Sequence, residues 1–395
     1  MKTLRHLFTH YGSLGGVQSI IKAHLEQEDA KQIPSSLVAF FDKPNSLPLE
    51  SCERVQGLGW SGSTTVAQAR RSLAQAETGR RHHTAIFHDL WGLGFLADLV
   101  SCQRRVGAIH SHWPGLEFQL KQVGHLLDGV FCDSQALADL ATEIVPTLRE
   151  GRAIHLPVPI NTCPPDLRGR RDSLAHRAIR LGFVGRVDFD QKRVERFLPL
   201  LKTLNQEGVP YTMEFLGSGN AEPMLKKQFK DSKDVVFHGR QSGQAYWRIL
   251  GQWDCVLYTS DFEGSPLAMQ EAMNAGCLPI FPKIGSGGDL VVQQVFPEGL
   301  YPPEDWAKIA GCLQQLRRVP DTKVASLREA AVRQSQSYAK EAYHQKFSQF
   351  WDTVATKTSV AQNFDFKPNL IRHIPFGILR RCSRRHLLTH YGRNP

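Results

Sequence analysis

Two glutamates, Glu263 and Glu271, stand with seven residues between them. Glu263 follows an apolar run, residues 255–258, that predicts a buried strand, and Glu271 lies about two turns into the helix predicted next. Ligands of open parallel sheets bind beyond the carboxyl ends of the strands, so both carboxylates could reach one ligand. They could accept hydrogen bonds from the hydroxyls of a sugar or ribose. Alternatively, they are acidic residues favoured by the positive end of a helix.

A glycine and two cations follow another apolar run, residues 179–184. Gly185 permits a tight turn, and Arg186 and Lys192 lie in a loop that leads to a predicted helix. Cations beside a helix N-terminus are typical of a diphosphate site and would stabilise a departing diphosphate. The alternative is two surface cations. The pattern Asp-x-Asp at 188–190 occurs in metal sites, but such short matches are frequent, and we assign no metal.

Short apolar runs alternate with segments of helical spacing through most of the chain. This alternation predicts parallel sheets covered by helices on both faces. It is interrupted by an arginine-rich linker at 162–180 that begins with two prolines, and then restarts. We therefore expect two doubly wound α/β domains, 1–165 and 166–345, followed by a C-terminal helix and basic tail, 346–395. A length of 395 residues suits two domains.

The composition favours a protein that binds anions. Lys and Arg number 48 and Asp and Glu 38, which gives a net charge of +10. The eight cysteines are scattered without a Cys-x-x-Cys pair, as expected for free thiols in the cytoplasm. Neither a signal peptide nor an apolar run long enough to span a bilayer is present. We expect a cytoplasmic protein, peripheral at the inner face of the membrane.

The C-terminal tail mixes arginines with apolar residues. This pattern favours contact with an anionic membrane, and the alternative is a solvated tail. Residues 385–392 repeat residues 5–12 with one change, for which we have no physical account.

Together the motifs resemble the retaining GT-B glycosyltransferases of family four, the glycosyl transferases group 1. The resemblance rests on Gly185-Arg186 with Lys192, and on Glu263-Gly264-Ser265-Pro266-Leu267 with Glu271. Weaker matches in the same order support it: Gly15-Gly16, the strand with His110, and the segments 133–137, 215–219 and 236–239.

The resemblance implies two Rossmann-like domains that face each other across a cleft, with a nucleotide-diphosphate sugar held mostly by the second. Arg186 and Lys192 would hold the diphosphate. Glu263 would contact the donor sugar, and Glu271 would accept hydrogen bonds from the ribose. The remaining donor-site residues implied are Gly16, Gly185, Gly217, Gly219, Phe237, His238, Gly264, Ser265, Pro266 and Leu267. Gly217, Gly219, Phe237 and His238 would border the base.

His110 best matches the histidine that the family places near the transferred sugar. A neutral histidine at a strand end can orient a sugar hydroxyl or the acceptor. The alternatives are a satisfied polar strand end, or a role for His88 or His112 instead. A zinc site of these three histidines lacks a ligand pattern, and the family needs no bound metal.

We thus expect a metal-independent, retaining hexosyltransferase, with Arg186, Lys192, Glu263 and His110 as catalytic residues. It would need no cofactor besides the nucleotide-sugar donor. The acceptor would be a glycan, a lipid-linked precursor or a cell-envelope precursor. Departures from the family pattern at Ser265, residues 156–159 and Gln18 leave the donor open.

Two alternatives remain: a nucleotide-sugar epimerase on the same fold, and a basic nucleic-acid-binding protein. The chain shows no RNA-recognition motif, zinc finger or helix-turn-helix, so we expect no nucleic-acid partner.

Overall fold

The computed structural model describes residues 3–12, 16–43, 54–168, 173–338, 340–366 and 370–378. The chain forms two compact units. Unit 1 comprises Met1–Pro157 and Tyr343–Pro395, and unit 2 comprises Val158–Ala342. The sequence predicts a boundary after residue 165 and a separate segment from 346. In the structure the division falls after Pro157, and the C-terminal segment belongs to unit 1.

Unit 1 is built on a seven-stranded sheet. Its strands are β1 Leu4–Phe8, β2 Ser35–Ala39, β3 Val55–Gly57, β4 His82–His88, β5 Cys102–Ile109, β6 Gly129–Cys132 and β7 Ala153–His155. The helices between them are α1 Gly16–Ala30, α2 Val66–Ala76, α3 Leu93–Leu96, α4 Leu116–Val123 and α5 Gln135–Ile144. All neighbouring strands are parallel, in the order β3-β2-β1-β4-β5-β6-β7. The chain therefore changes direction across the sheet between β1 and β4.

Unit 2 repeats this architecture with six strands. They are β8 Ile179–Val184, β9 Tyr211–Leu216, β10 Val235–Gly239, β11 Cys255–Leu257, β12 Leu278–Pro282 and β13 Leu300–Tyr301. The helices are α6 Phe197–Gln206, α7 Glu222–Gln228, α8 Gly243–Gln252, α9 Leu267–Asn274, α10 Gly287–Val295, α11 Trp306–Leu316 and α12 Asp321–Ser335. The parallel order β10-β9-β8-β11-β12-β13 reverses between β8 and β11. Doubly wound sheets bind ligands in the crevice at such a point. The predicted α/β class with two doubly wound domains is confirmed.

The helix α13 Lys340–Thr356 contributes its residues from Tyr343 onward to unit 1. Its buried face carries Tyr343, Phe347, Phe350, Trp351 and Val354. This face packs in one apolar cluster with residues of the unit 1 sheet, among them Leu4, Ile86, Val106 and Phe131. Burying aromatic side chains of this size against the sheet stabilises unit 1 by about 1.5–3 kcal/mol for each fully buried ring. The helix is thus a structural part of unit 1.

The segment after α13 reaches the same unit. Phe376 is buried and packs against Phe41, Trp60 and Trp91. Most of the predicted membrane-binding tail, Lys367 and residues 379–395 with the repeated octapeptide, lies outside the described residues. Within the described part of the chain, no helix is both long and apolar enough to cross a membrane.

Candidate active site

The predicted donor-binding residues of unit 2 follow strands β8 and β11. These strands are neighbours at the point where the strand order reverses. Arg186 and Lys192 lie in the loop after β8, and Glu263 lies in the loop after β11. The two loops are joined because the backbone N–H of Asp261 donates to the carbonyl of Gln191 at 2.9 Å. Residues far apart in sequence therefore meet at one edge of the sheet.

Lys192 and Glu263 form a buried ion pair. The ammonium Nζ lies 2.5 Å from Oε1 of Glu263, and the two side chains are only 13% and 5% exposed. The hydroxyl of Ser260 donates to the same Oε1 at 2.7 Å, and Nε2 of Gln191 donates to Oε2 at 3.3 Å. The ammonium also lies 5.4 Å from the ring centroid of Tyr258. Because both carboxylate oxygens are bonded, Glu263 is held in one orientation.

Arg186 is paired as well, but in a more open position. Its Nε donates to Oδ2 of Asp188 at 2.5 Å, and its Nη2 donates to Oε1 of Gln191 at 2.9 Å. The Arg186 side chain is half exposed. The other oxygen of Asp188 accepts the backbone N–H groups of Gln191 and Lys192, both at 2.9 Å. Asp188 therefore shapes the loop and holds the guanidinium.

No group of three or more histidines, cysteines or acids within the described ranges is placed to hold a metal. The described cysteines 102, 132, 163, 255, 277 and 312 are all free thiols.

The glycines of this region allow two loops to touch. The backbone N–H of Gly185 bonds to the carbonyl of Leu216 at 3.0 Å. A Cβ on Gly217, whose φ is +144°, would overlap the carbonyl oxygen of Gly185. A Cβ on Gly219 would overlap the carbonyl of Val187 in the same way. Packing of the β9 loop on the β8 loop thus already requires Gly217 and Gly219, whatever they contribute to nucleotide binding.

The segment Gly264–Leu267 leads into α9. The helix begins at Leu267, and Pro266 at its N-cap supplies no side-chain hydrogen bond to the helix. The N–H groups at such a helix start, with the helix dipole, favour an anion. The hydroxyl of Ser265 is buried and bonded to that of Tyr338 at 2.8 Å. Ser265 therefore has a packing role inside unit 2.

Glu271 lies further along α9 and has its own partner. The hydroxyl of Tyr246 on α8 donates to its Oε2 at 2.5 Å. Burial raises the pKa of Glu271, although hydrogen bonds from Tyr246 and Asn161 act in the opposite direction. A buried, partly satisfied carboxylate accepts further hydrogen bonds readily, because they replace the lost solvation.

The predicted base-binding pair, Phe237 and His238, lies at the carboxyl end of β10. Phe237 stacks on Phe215 with a ring centroid distance of 4.9 Å. Nε2 of His238 lies 2.6 Å from Oε2 of Glu214, and Nε1 of Trp253 donates to that same oxygen at 3.1 Å. Both side chains are thus anchored to unit 2.

Two of the predicted residues belong to unit 1. Gly16 is the first residue of α1, and a Cβ added there would meet no atom within 4 Å. His110 follows β5 and is buried. Its Nε2 lies 2.8 Å from Nδ1 of His88, and its Nδ1 lies 3.2 Å from both oxygens of Asp133. Both ring nitrogens are bonded within the protein, so a ring contact with a sugar would have to replace one of these bonds.

The sequence analysis did not predict several residues that support these sites. Gln191 links Arg186 and Glu263, and Tyr246 holds Glu271. Gln191 stands beside Lys192, which is a signal that could have been used. Tyr246 lies in an ordinary amphipathic helix and offers none.

Residues 178–318 match a family model described as Glycosyl transferases group 1. Nearly the whole chain resembles solved glycosyltransferase structures at low identity. The pneumococcal O-GlcNAc transferase GtfA, in complex with UDP and GlcNAc, has a TM-score of 0.68 at 11% identity, covering 90% of this chain and 99% of that chain. Sucrose-phosphate synthase from Thermosynechococcus elongatus has a TM-score of 0.67 at 16% identity, with 90% and 99% covered.

The lipopolysaccharide outer core galactosyltransferase WaaB has a TM-score of 0.67 at 16% identity, with 89% and 99% covered. The fold is GT-B. No curated protein sequence is significantly similar to this chain. The predicted GT-B architecture is therefore confirmed, and the family match covers the part of unit 2 that carries the paired cations and carboxylates.

Proposed function

We propose that the protein is a glycosyltransferase that transfers a hexose from a nucleotide-diphosphate sugar to an acceptor hydroxyl with retention of configuration. The observation that carries this proposal is the cluster of Arg186, Lys192 and Glu263 where the strand order of unit 2 reverses. Cations suit a diphosphate, and carboxylates suit the hydroxyls of the sugar and ribose on either side of it. The match of residues 178–318 to the glycosyltransferase model supports the same function.

The ion pairs suggest how donor binding proceeds. A diphosphate competes with Asp188 for Arg186 and with Glu263 for Lys192. When Lys192 turns to the diphosphate, a carboxylate oxygen of Glu263 becomes available to a sugar hydroxyl. The half-exposed Arg186 gives up a weakly held partner, because exposed ion pairs contribute at most about 1 kcal/mol.

In the transfer step, the bond between the sugar carbon and the diphosphate oxygen breaks, and the acceptor oxygen forms the new bond to that carbon. The proton of the acceptor hydroxyl passes to the departing diphosphate. Arg186, Lys192 and the amides at the start of α9 stabilise the charge on the leaving diphosphate. This electrostatic stabilisation is the role a divalent metal has in other enzymes, and we propose that the transfer needs none. Glu263 is committed to Ser260, Gln191 and the sugar hydroxyls, so we do not give it the role of nucleophile.

The identities of the donor and the acceptor are proposed from what the structural neighbours bind or act on. Two structural neighbours, GtfA and Alr3699/HepE of Anabaena, were solved with UDP, so UDP-sugars are the first donors to test. WaaB is described as acting on the lipopolysaccharide outer core. We propose a glycan, lipid-linked or cell-envelope precursor as acceptor, approached at an anionic membrane surface with the help of the basic tail.

Calorimetry with UDP, GDP and ADP tests nucleotide binding, and donor hydrolysis followed by acceptor trapping tests transfer. We expect binding of one nucleotide and a product with a new glycosidic bond; an epimerised donor without transfer would indicate an epimerase. Lys192→Ala should lower turnover, whereas Lys202→Ala, at an exposed lysine of α6 in the same unit, should not. If none of the nucleotides binds, the proposal is wrong.

A further inference from the structure

Unit 1 contains a buried chain of three histidines with a carboxylate at each end. Nε2 of His6 lies 3.0 and 3.1 Å from the carboxylate oxygens of Glu28. Nδ1 of His6 lies 3.0 Å from Nε2 of His88. Nδ1 of His88 lies 2.8 Å from Nε2 of His110, whose Nδ1 lies 3.2 Å from Asp133. Every imidazole nitrogen in the chain is within hydrogen-bond distance of the next group.

The topology of the sheet creates this chain. His6 lies in β1, His88 ends β4, His110 follows β5 and Asp133 follows β6. Strands β1, β4, β5 and β6 are adjacent, and Glu28 reaches the chain from α1. His6, His88 and Glu28 have no measurable exposure, and His110 and Asp133 have at most a few per cent. Water therefore cannot supply a missing hydrogen bond from outside.

The four contacts of the histidine chain need one hydrogen more than three neutral rings supply. Four contacts join the five groups, and each needs one hydrogen between its two heavy atoms. A neutral imidazole carries one N–H, so three neutral rings supply three hydrogens. Ionised carboxylates supply none. With both carboxylates ionised, one ring must therefore be an imidazolium.

The excess proton has two limiting positions. If His6 is the charged ring, His88 donates through Nδ1 to His110, which donates through Nδ1 to Asp133. If His110 is the charged ring, it donates to both Asp133 and His88, and His88 donates through Nε2 to His6. Only the hydrogens of the two ring-to-ring contacts move between the two arrangements, each across its own contact. The charge therefore passes between His6 and His110 while His88 exchanges its tautomer.

The groups around the chain favour the charge at the His110 end. Burial lowers the pKa of His110, but the carboxylates of Asp133 and Asp89 outweigh burial and raise it. Oδ1 of Asp89 also accepts the backbone N–H of His110 at 3.1 Å. Burial and the neighbouring histidines hold the pKa of His88 well below its ordinary value. Among the described residues, further titratable groups lie close to the histidine chain. They include His24 on α1, the Tyr343 hydroxyl on α13 that is bonded to it, and the thiol of Cys132 in β6. The backbone of Asp133 also bonds to His155.

We propose that Glu28, His6 and His88 are positioning residues for His110, which they keep charged and fixed through one shared excess proton. The part of this proposal that concerns the reaction rests on the proposed glycosyltransferase function and on the role that the family resemblance gives to His110. The proton count does not depend on either. A fixed positive ring would favour negative charge that develops close to His110 in the transfer step.

Glu28→Gln tests the count directly. The amide NH2 of a glutamine can donate to Nε2 of His6, so the four contacts would be satisfied by three neutral rings. Imidazole ¹⁵N spectra of the full chain at pH 8 should show one imidazolium among these three rings in the wild type and none in Glu28→Gln. Glu26→Gln is the matched control, because Glu26 lies on the same helix but is largely exposed. Asp133→Asn places an amide at the opposite end of the histidine chain, beside His110. It tests the same proton count if Glu28→Gln does not fold.

The pH profile then connects the chain to the reaction. Positioned acid–base groups typically contribute 10²–10⁴-fold, and we expect Glu28→Gln to lose roughly tenfold in kcat at pH 8 with little change in donor KM. The loss should shrink toward pH 6.5, where solvent protons recharge His110, whereas a purely structural defect would persist. Three neutral rings in the wild type at pH 8 would overturn the proposal. An imidazolium in a protein without transferase activity would sustain the proton count and overturn the proposed function instead.

Discussion

Variants of the buried pair of Lys192 and Glu263 should affect stability and transfer activity differently. Lys192→Met removes the ammonium and leaves the Glu263 carboxylate bonded only to Ser260 and Gln191. Glu263 is 5% exposed, so water cannot replace the lost partner. Leaving one member of a buried pair without its counter-charge costs about 3–5 kcal/mol of unfolding free energy. We expect Lys192→Met to destabilise unit 2 by at least about 3 kcal/mol.

The double variant Lys192→Met/Glu263→Gln should recover most of that loss. Its glutamine can still accept from Ser260 and carries no charge to be solvated, so the variant should lie within about 1 kcal/mol of the wild type. Transfer activity should stay low in both variants, because the proposed diphosphate contact is missing from each. Recovery of stability without recovery of turnover would show that the pair of Lys192 and Glu263 acts on the substrate as well as on the fold.

Thiol labelling measures the stability of unit 2 by itself. Cys255 and Cys277 are fully buried in its core and react only after opening. A loss of about 3 kcal/mol raises the population of the open state by more than 100-fold, since about 1.4 kcal/mol corresponds to tenfold. Labelling followed by peptide mass spectrometry should show this increase for Lys192→Met and its reversal in the double variant.

Arg186→Met provides the comparison of an exposed ion pair. The Arg186 side chain is half exposed, so its pair with Asp188 should contribute no more than about 1 kcal/mol to stability. Turnover should still fall, because the same variant loses a diphosphate contact. If Lys192→Met opens unit 2 no more than Arg186→Met does, or if the double variant is as unstable as the single one, burial of the pair does not govern its energetics.

Three further predictions concern other parts of the molecule. Glu271→Ala should weaken nucleotide binding roughly 10- to 100-fold by calorimetry, because hydrogen bonds to a charged acceptor contribute about 1.5–3 kcal/mol, and unchanged affinity would exclude the ribose role. The pKa values of His24 and His88 are well below the ordinary value in the folded state, so the unfolded state binds more protons. The stabilising contribution of these two neutral rings should be fully present above pH ~6.5 and fall below it by up to about 2.7 kcal/mol per pH unit. Melting temperatures at pH 6.5 and 5.5 would show or refute this, because below pH ~6.5 the raised pKa of His110 adds little further stability. Gly217→Ala should destabilise unit 2 by more than about 1 kcal/mol, because its methyl group overlaps the carbonyl of Gly185, and a neutral result in urea unfolding would contradict that packing.

The sequence predicts much of the fold because buried parallel strands are continuous apolar runs. The strand Ile179–Val184 has the bounds of the apolar run that predicts it. Helix Gly287–Val295 was not predicted, since it starts with two glycines. The capping box formed by the side chains of Ser286 and Asp289 compensates for them.

The site could be predicted only where several charged residues lie close together in the sequence. Charged residues after strand ends point to the edge of the sheet, and Lys192 and Glu263 meet there. The partners Tyr246 and Glu28 could not be found, because their contacts depend on which helices pack above which strands. His6 reads as an ordinary strand residue until the strand order places β1 beside β4. Sequence spacing contains no information on that adjacency.

The position of α13 in the chain has a consequence for synthesis of the protein. The seven strands of unit 1 are all made by His155, but the face that receives Tyr343, Phe347 and Phe350 stays uncovered until α13 leaves the ribosome. All of unit 2 is made in the meantime and has its own core, so it can fold first. Nascent unit 1 thus presents an apolar surface for the whole of that interval, and a chain truncated before α13 should require a chaperone or aggregate.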